Sequence, residues 1–467
     1  MSLMVSVSGL RGIVGESLTP NVLLKYSTAF ALHLKSKSIS PKIVIGRDSR
    51  PTGKTIQAFI QATFQQLGCN IVDIGIVPTP TVALAIQNEC ADGGIVVTAS
   101  HNPIQWNALK FLNHLGEFVT PEESQNIYSI AENTTHTLQS SNSWHAFGMC
   151  VQIQTYLDFH IQKILHLPLI HSNIIKSQHL SVLIDAVNGA GSEIIPMLCE
   201  QLGVHSIVRI ACNPHKIFPR NPEPIEENLI ETSSLVKHYG VDLGIVVDPD
   251  ADRVCFICED GSLFGEEYSL VACADFVLSK KAGAVVNNLS SSRALLDVAT
   301  KHHSTVYSSK VGEANVVALM KKTHAVIGGE GSGGIILPEL HYGRDAMVGT
   351  ALFLQAFAEW RIASKNTTPN TIPSLSLFKK TFPEYHIAKA KTHLSPNTDI
   401  KSQLEKIKQT CYGMDIIETD GLKIYFDSGW VHLRSSNTEP IIRIYAEGKT
   451  KTEAERIVHE FEKKLSL

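Results

Sequence analysis

The stretch Gly93-Gly94-Ile95-Val96-Val97-Thr98-Ala99-Ser100-His101-Asn102-Pro103 decides how the rest of the chain is read. Two glycines release the chain, Ile95 to Val97 read as a short buried strand, and Pro103 closes the segment. Ser100 therefore lies on a loop at the carboxyl end of a strand, where open α/β sheets hold ligands because helices cover their faces. Beside His101, an exposed serine there is a candidate nucleophile. The alternative is a plain turn, since Ser and Asn bond their own backbone and Pro fixes the bend. A serine-hydrolase triad fits less well, because no Gly-x-Ser-x-Gly elbow surrounds Ser100.

Upstream, Ser8-Gly9-Leu10-Arg11-Gly12 offers a glycine-flanked guanidinium that can approach a ligand. Thr19-Pro20 caps a helix; Lys42 to Gly46 and Asn70 to Gly75 read as strands, and Lys54 to Leu67 as a helix. Between them, Arg47-Asp48-Ser49-Arg50-Pro51 reads as a charged turn. Strands alternating with helices imply an α/β sheet. Past Ser100, Trp106 to Phe111 brings Lys110 back toward the serine; a lysine drawn into a cleft can lose its proton near neutral pH and serve as general acid or base. A polar stretch at Ser140 to Ser143 marks a boundary, followed by a helix near Val151 to Leu165.

Leu243-Gly244-Ile245-Val246-Val247 repeats the glycine-apolar strand and ends in Asp248-Pro249-Asp250-Ala251-Asp252-Arg253. Three aspartates at alternate positions can converge on one cation, and carboxylate oxygens suit magnesium. An acidic turn is the plainer reading, and an EF-hand is rejected because Arg253 stands where glycine is required. A third short strand, Ala325 to Ile327, ends in Gly328-Gly329-Glu330-Gly331-Ser332-Gly333-Gly334. This satisfies G-x-G-x-x-G, yet an extended piece and not a helix comes next, so the dinucleotide reading fails. A loop offering Glu330 and Ser332 to hydroxyls of a polar ligand fits better. Arg344 to Ile362 reads as a closing helix and Asn366 to Ser376 as a linker. In the last segment Arg434-Ser435-Ser436-Asn437-Thr438-Glu439-Pro440 is either a polar turn or a charged fork with hydroxyl and amide donors suited to phosphate.

With 467 residues the chain is too long for one core of the usual size. A formal net charge of −4 gives no broad basic face for nucleic acid, and nine scattered cysteines fit reduced thiols better than a disulfide framework. No apolar run has membrane-spanning length, and Met1 to Gly15 lacks a signal-peptide pattern, so a cytoplasmic protein without membrane partners is expected. Cys255 and Cys258 lie in an apolar strand-like run, which speaks against zinc or redox use.

The ordered set of loops resembles the α-D-phosphohexomutase superfamily of phosphoglucomutases, phosphomannomutases and phosphoglucosamine mutases. Thr98 to Pro103 resembles its active-serine motif, Asp248 to Arg253 its metal loop, Gly329 to Gly333 its sugar loop and Arg434 to Pro440 its phosphate loop. The fold so implied is α/β: three similar mixed α/β domains around a central cleft, plus a smaller C-terminal α+β domain on a linker. Its domains would span 1–145, 146–258, 259–368 and 376–467.

The resemblance also implies chemistry. Ser100 would be phosphorylated and pass its phosphoryl group to the sugar, giving a hexose 1,6-bisphosphate that reorients and returns the other phosphate. Magnesium would sit on Asp248, Asp250, Asp252 and a phospho-Ser100 oxygen. Lys110 would be the general acid/base, with Arg11 and His101 supporting the transferring group. Arg253, Lys310, Glu330, Ser332, Arg434, Ser436, Asn437 and Thr438 would bind the sugar phosphate. Glucosamine 6-phosphate to glucosamine 1-phosphate is the leading reaction; phosphoglucomutase or phosphomannomutase activity stays open, because the sugar loop ends Ser-Gly-Gly where the bacterial phosphoglucosamine pattern has Ser-Gly-His. A serine-based sugar phosphatase and a non-catalytic sugar-phosphate sensor are rivals of other classes, and the sequence is silent on oligomeric state.

Overall fold

A computed structural model of the chain describes residues 3–133, 146–367, 372–393, 399–435 and 441–465. The boundary expected at Ser140 to Ser143 lies outside them, as do Ser436, Asn437 and Thr438. The chain divides into two compact units, Met1–Ser269 with Gly333–Phe378 and Leu270–Ser332 with Lys379–Leu467.

In the first unit the strands run β1 (Met4–Ser6), β2 (Gly9–Ile13), β3 (Lys42–Arg47), β4 (Asn70–Ile76), β5 (Gly93–Val97), β6 (Trp106–Asn113) and β7 (Cys150–Gln152). They form one sheet in the order β1-β2-β6-β5-β3-β4-β7. β5, β3, β4 and β7 are parallel, whereas β6 runs against β5 and pairs antiparallel with β2. Both faces are covered. Helices Pro20–Lys35, Gly53–Gln66 and Pro121–Asn133 pack Leu23, Phe30, Ile60, Phe64 and Ile127 on one side, and Thr79–Asn88 packs Val82 and Ile86 on the other. A strand covered twice must be apolar throughout, which is why every residue of β5 is buried. The first helix starts where expected, with the Thr19 hydroxyl accepting from Val22 N at 3.4 Å and Pro20 in the first turn.

The helix expected near Val151 to Leu165 must be corrected: it begins only at Tyr156, and Cys150–Gln152 instead forms β7, paired in parallel with β4 through Ile71 and Cys150. Three residues carry too little periodicity to be read as a strand.

The second sheet of this unit is built from β8 (Ser181–Asp185), β9 (Ser206–Ile210), β10 (Leu243–Val247) and β11 (Val254–Cys258), ordered β11-β10-β8-β9. It repeats the plan of the first: a buried parallel strand, a loop, and an antiparallel return. Helix Ala346–Thr367 packs on β11 and is buried over all of its first 13 residues, with Phe353 stacked on Phe256 at 3.6 Å. A helix apolar all round belongs in a core. The linker expected at Asn366 to Ser376 is in part this helix. Its far end is packed as well: Leu375 and Phe378 are buried, Phe378 lies against Phe264 and Phe357, and Ser376 bonds Glu259. Its Thr, Pro and Asn content concealed Leu375, and Phe378 lies just beyond it.

In the second unit, strand Val285–Asn288 pairs in parallel with Val306–Ser309 and Ile327–Glu330. A five-stranded antiparallel sheet follows, in the order His386–His393, Ile441–Gly448, Trp430–Ser435, Leu422–Tyr425, Ile416–Ile417. Helices Ile400–Thr410 and Lys451–Leu465 cover one face through Ile407, Ile457 and Phe461.

Candidate active site

Ser100 and Ala251 share an unusual backbone. Both are non-glycine residues at φ +48°, one in the loop after β5 and the other in the loop after β10. Such left-handed conformations cost energy and persist where the surroundings impose them. At Ser100 the imposing group is Arg50, which is 1 % exposed. Its Nε bonds Asp48 Oδ2 at 3.0 Å; Nη1 bonds the carbonyls of Pro103 (2.7 Å) and Trp106 (3.1 Å); Nη2 bonds those of Ser100 and Asn102, both at 2.6 Å. All five guanidinium donors are thereby used, four of them on the serine loop. Asp48 Oδ2 also accepts from Thr98 Oγ1 at 2.6 Å, and Thr98 Oγ1 accepts from Ser100 N at 3.0 Å. The ring of Phe218 caps the guanidinium 5.1 Å away.

So held, Ser100 Oγ donates to Asp248 Oδ2 at 2.9 Å, and His101 Nδ1 lies 3.4 Å from Ser100 Oγ. Asp248 Oδ1 organises its own loop by accepting from the backbone of Asp252 and Arg253. The three aspartates are buried, and one oxygen of each lies within 4.8 Å of the others. Thr79 Oγ1 fixes Asp250 Oδ2 at 2.5 Å, and Arg344 Nη2 reaches Asp252 Oδ2 at 2.7 Å. Arg253 Nε stands 3.7 Å from Asp252 Oδ1, and Arg11 bonds Asn102 Oδ1 at 3.3 Å.

The electrostatics fit a cation. Burial, then the charges of Asp252 and Asp250, push the Asp248 carboxyl well above its ordinary value. Asp250 Oδ1 and Asp252 Oδ1 are buried with no hydrogen-bond partner. A divalent ion on these oxygens would satisfy both and relieve the repulsion, and an all-oxygen donor set is what magnesium takes.

Lys110 belongs to the same cluster. It is placed opposite Val96 of β5 and bonds Asp250 Oδ2 at 2.6 Å, with Asp252 Oδ2 at 3.6 Å. Burial works to lower its pKa, but Asp250 and Asp252 outweigh it and hold the ammonium above its ordinary value. His101 goes the other way: desolvation first, then Arg253, hold the imidazole well below its ordinary value, hence neutral at pH 7.

The second unit holds the remaining described candidates. Glu330 is buried, its Oε1 accepting from Asn288 Nδ2 at 2.9 Å and Gly312 N at 3.0 Å. Lys310 is exposed and Ser332 partly buried. Arg434 Nε forms an ion pair with Asp420 Oδ2 at 2.9 Å, and Asp420 Oδ2 accepts a hydrogen bond from Val311 N at 2.9 Å.

Sequence reasoning missed Asp48, Arg50, Thr79 and Arg344. The first three had a usable signal: each follows the carboxyl end of a parallel strand, β3 or β4, as Ser100 follows β5. Arg344 had none, because what draws it in is a gap left by another residue.

A buried cluster supports these loops. His160 Nε2 and His341 Nε2 lie 2.9 and 3.1 Å from Asp345 Oδ2, while Asp345 Oδ1 caps helix Ala346–Thr367 by accepting from Met347 N and Val348 N. Burial would raise the Asp345 pKa, but His160 and His341 outweigh it, so the carboxylate is depressed. A depressed carboxylate stabilises above its unfolded pKa, and that stability is lost as pH falls toward the folded value. Asp345→Asn should cost about 3 kcal/mol at pH 7 and flatten the acid limb of the stability curve, measured by urea denaturation from pH 7 to 3.

Four family models match the chain in order: phosphoglucomutase/phosphomannomutase alpha/beta/alpha domain I over residues 3–138, domain II over 156–261, domain III over 265–372 and the C-terminal domain over 391–464. The chain belongs to this family. A phosphoglucomutase/phosphomannomutase of Thermococcus kodakarensis is 34% identical over 96% of this chain and 94% of its own length. A phosphoglucosamine/phosphogalactosamine mutase of Sulfurisphaera tokodaii is 31% identical over 99% of both. Among solved structures, a family member from Burkholderia thailandensis superposes with a TM-score of 0.81 at 23% identity, covering 99% of this chain and 98% of that one. The protein is thus an α-D-phosphohexomutase, an isomerase-type phosphotransferase with the α/β fold of its family. Among the described residues no helix of this mutase is long and apolar enough to cross a membrane.

Proposed function

We propose that this mutase moves a phosphoryl group between C6 and C1 of a sugar phosphate through phospho-Ser100 and a sugar bisphosphate, and that its reaction is glucosamine 6-phosphate to glucosamine 1-phosphate. The observation that supports this best is the 2.9 Å bond from Ser100 Oγ into a buried aspartate cluster with two unsatisfied carboxylate oxygens. Magnesium, held by Asp248, Asp250, Asp252 and an oxygen of phospho-Ser100, supplies charge neutralisation when bound.

In the first transfer the P–Oγ bond of phospho-Ser100 breaks as a sugar hydroxyl oxygen bonds phosphorus. The proton lost by that hydroxyl equals the one gained at Ser100 Oγ. Lys110 Nζ relays it and finishes each half-reaction as charged as it began, a role that suits an ammonium held by Asp250. His101, neutral and close to Oγ, and Arg11 steady the transferring group. The reverse transfer uses the same residues on the other phosphate. Glu330 and Ser332 take sugar hydroxyls, while Arg253, Lys310, Arg434, Ser436, Asn437 and Thr438 take phosphate oxygens.

A second reading, glucose or mannose phosphate as substrate, is favoured by the name of the 34% identical relative. One experiment separates these. Phosphorus NMR is recorded on the magnesium-loaded enzyme, primed with a trace of hexose bisphosphate and given equal glucosamine, glucose and mannose 6-phosphates. Anomeric phosphate signals without inorganic phosphate are expected, the glucosamine signal first. Growth of inorganic phosphate alone would make Ser100 the nucleophile of a phosphatase, and no change would leave a sensor.

A further inference from the structure

Position 334, the last glycine of the sugar-loop sequence, is not surrounded by open space. A Cβ built on Gly334 would stand 2.3 Å from Arg344 Cδ and 3.0 Å from Arg344 Cγ. The backbone brings the two residues together, since Asp345 N bonds Ile335 O at 2.9 Å. The aliphatic stem of Arg344 therefore lies in the notch that the missing side chain leaves. The guanidinium emerges beyond it, with Nη2 on Asp252 Oδ2 at 2.7 Å. Arg344 is 8% exposed and Asp252 1%, so this pair is buried.

The division of labour within Asp252 is informative. Oδ2 receives Arg344 and has Lys110 Nζ at 3.6 Å, whereas Oδ1 keeps no hydrogen-bond partner and has Arg253 Nε 3.7 Å away. A planar guanidinium fixes the orientation of a carboxylate as well as its charge. We propose that Arg344, seated through the notch at Gly334, is a positioning residue of the phosphoryl-transfer centre: it holds Asp252 through Oδ2, which keeps that oxygen from a cation and leaves Oδ1 to it, and it supplies a fixed positive charge beside the group being transferred. The inference rests on the proposed transfer at Ser100 and adds a residue that none of the four loop motifs contains.

Two routes to the same defect test it. Arg344→Met removes the charge; Gly334→Ala leaves Arg344 intact but blocks its path, and Gly334 does not have a positive φ that alanine would find strained. Three quantities are measured on the full chain: kcat and KM for the sugar phosphate, affinity of the dephosphorylated enzyme for Mn²⁺ by electron paramagnetic resonance, and melting temperature. Each single variant is expected to lose about a hundredfold in kcat with KM within about twofold of the parent. Each should also bind Mn²⁺ about threefold tighter, because a competing cation has left the cluster. The double variant should be no slower than Arg344→Met, since both changes remove one interaction. Arg344→Lys should restore the parental Mn²⁺ affinity and recover only part of kcat.

Additive losses in the double variant would overturn the proposal. So would weaker Mn²⁺ binding with a parallel fall in melting temperature, which is what a merely structural arginine predicts. Labelling of parental Ser100 by a ³²P-bisphosphate is run alongside: its absence would refute transfer at Ser100, and the Mn²⁺ and double-variant arms would still decide the role of Arg344.

Discussion

Alanine at Ser100 is expected to reduce mutase turnover by on the order of 10⁴ or more and to abolish transfer of ³²P from a labelled hexose bisphosphate to the protein. The size follows from the chemistry. Without Oγ no phosphoenzyme forms, and the oriented groups that remain have nothing to transfer. Folding should be little affected. Alanine and serine pay alike for φ +48°, and the change removes only the bond to Asp248 Oδ2 and the 3.4 Å contact with His101 Nδ1. Sugar-phosphate binding, assigned here chiefly to residues of the second unit, should stay within about twofold by calorimetry. Retained labelling at another residue would remove Ser100 from the mechanism.

The second large effect belongs to Arg50. Methionine in its place would leave Asp48 buried without its cation and strip four carbonyls of the serine loop of their donor. Breaking a buried pair from one side typically costs about 3–5 kcal/mol, so Arg50→Met is expected to be poorly folded. Arg50→Lys is the sharper test. An ammonium keeps the charge near Asp48 but offers three donors from one point, and it cannot span acceptors on Ser100, Asn102, Pro103 and Trp106 together. It should fold, bind sugar phosphate and turn over about a hundredfold slower, with slower labelling of Ser100 in single-turnover experiments. A lysine variant with parental kcat would show that the loop holds its shape without the clamp.

The loops after Val97, Val247 and Ile327 were legible in the sequence because each ends an apolar strand with residues that a core cannot use. Ser100, the aspartates at 248, 250 and 252, and Glu330 announce themselves against the apolar residues before them. Arg50 carried the same positional signal after β3 but read as a surface turn, since sequence alone does not tell a buried arginine from a solvated one. Arg344 depended on the emptiness of residue 334, and absence of a side chain leaves no mark on periodicity. Lys110 was found, but its ion pairs were not, because its two aspartate partners lie 140 residues away or more. Strands His386–His393 and Ile441–Gly448 were missed where the first is interleaved with lysines and the second directly follows the polar loop.

The first unit is made from two separated lengths of chain, and this sets when its chemistry can appear during synthesis. Ser100 and Asp248 are 148 residues apart, and His160 meets Asp345 across 185. At about 5–20 residues per second, the serine loop leaves the ribosome on the order of ten seconds before its aspartate partner. Arg344 comes later still. A nascent chain can therefore build the β1–β6 sheet early, whereas the bond between Ser100 and Asp248 and the contact between His160 and Asp345 must wait for 148 and 185 further residues.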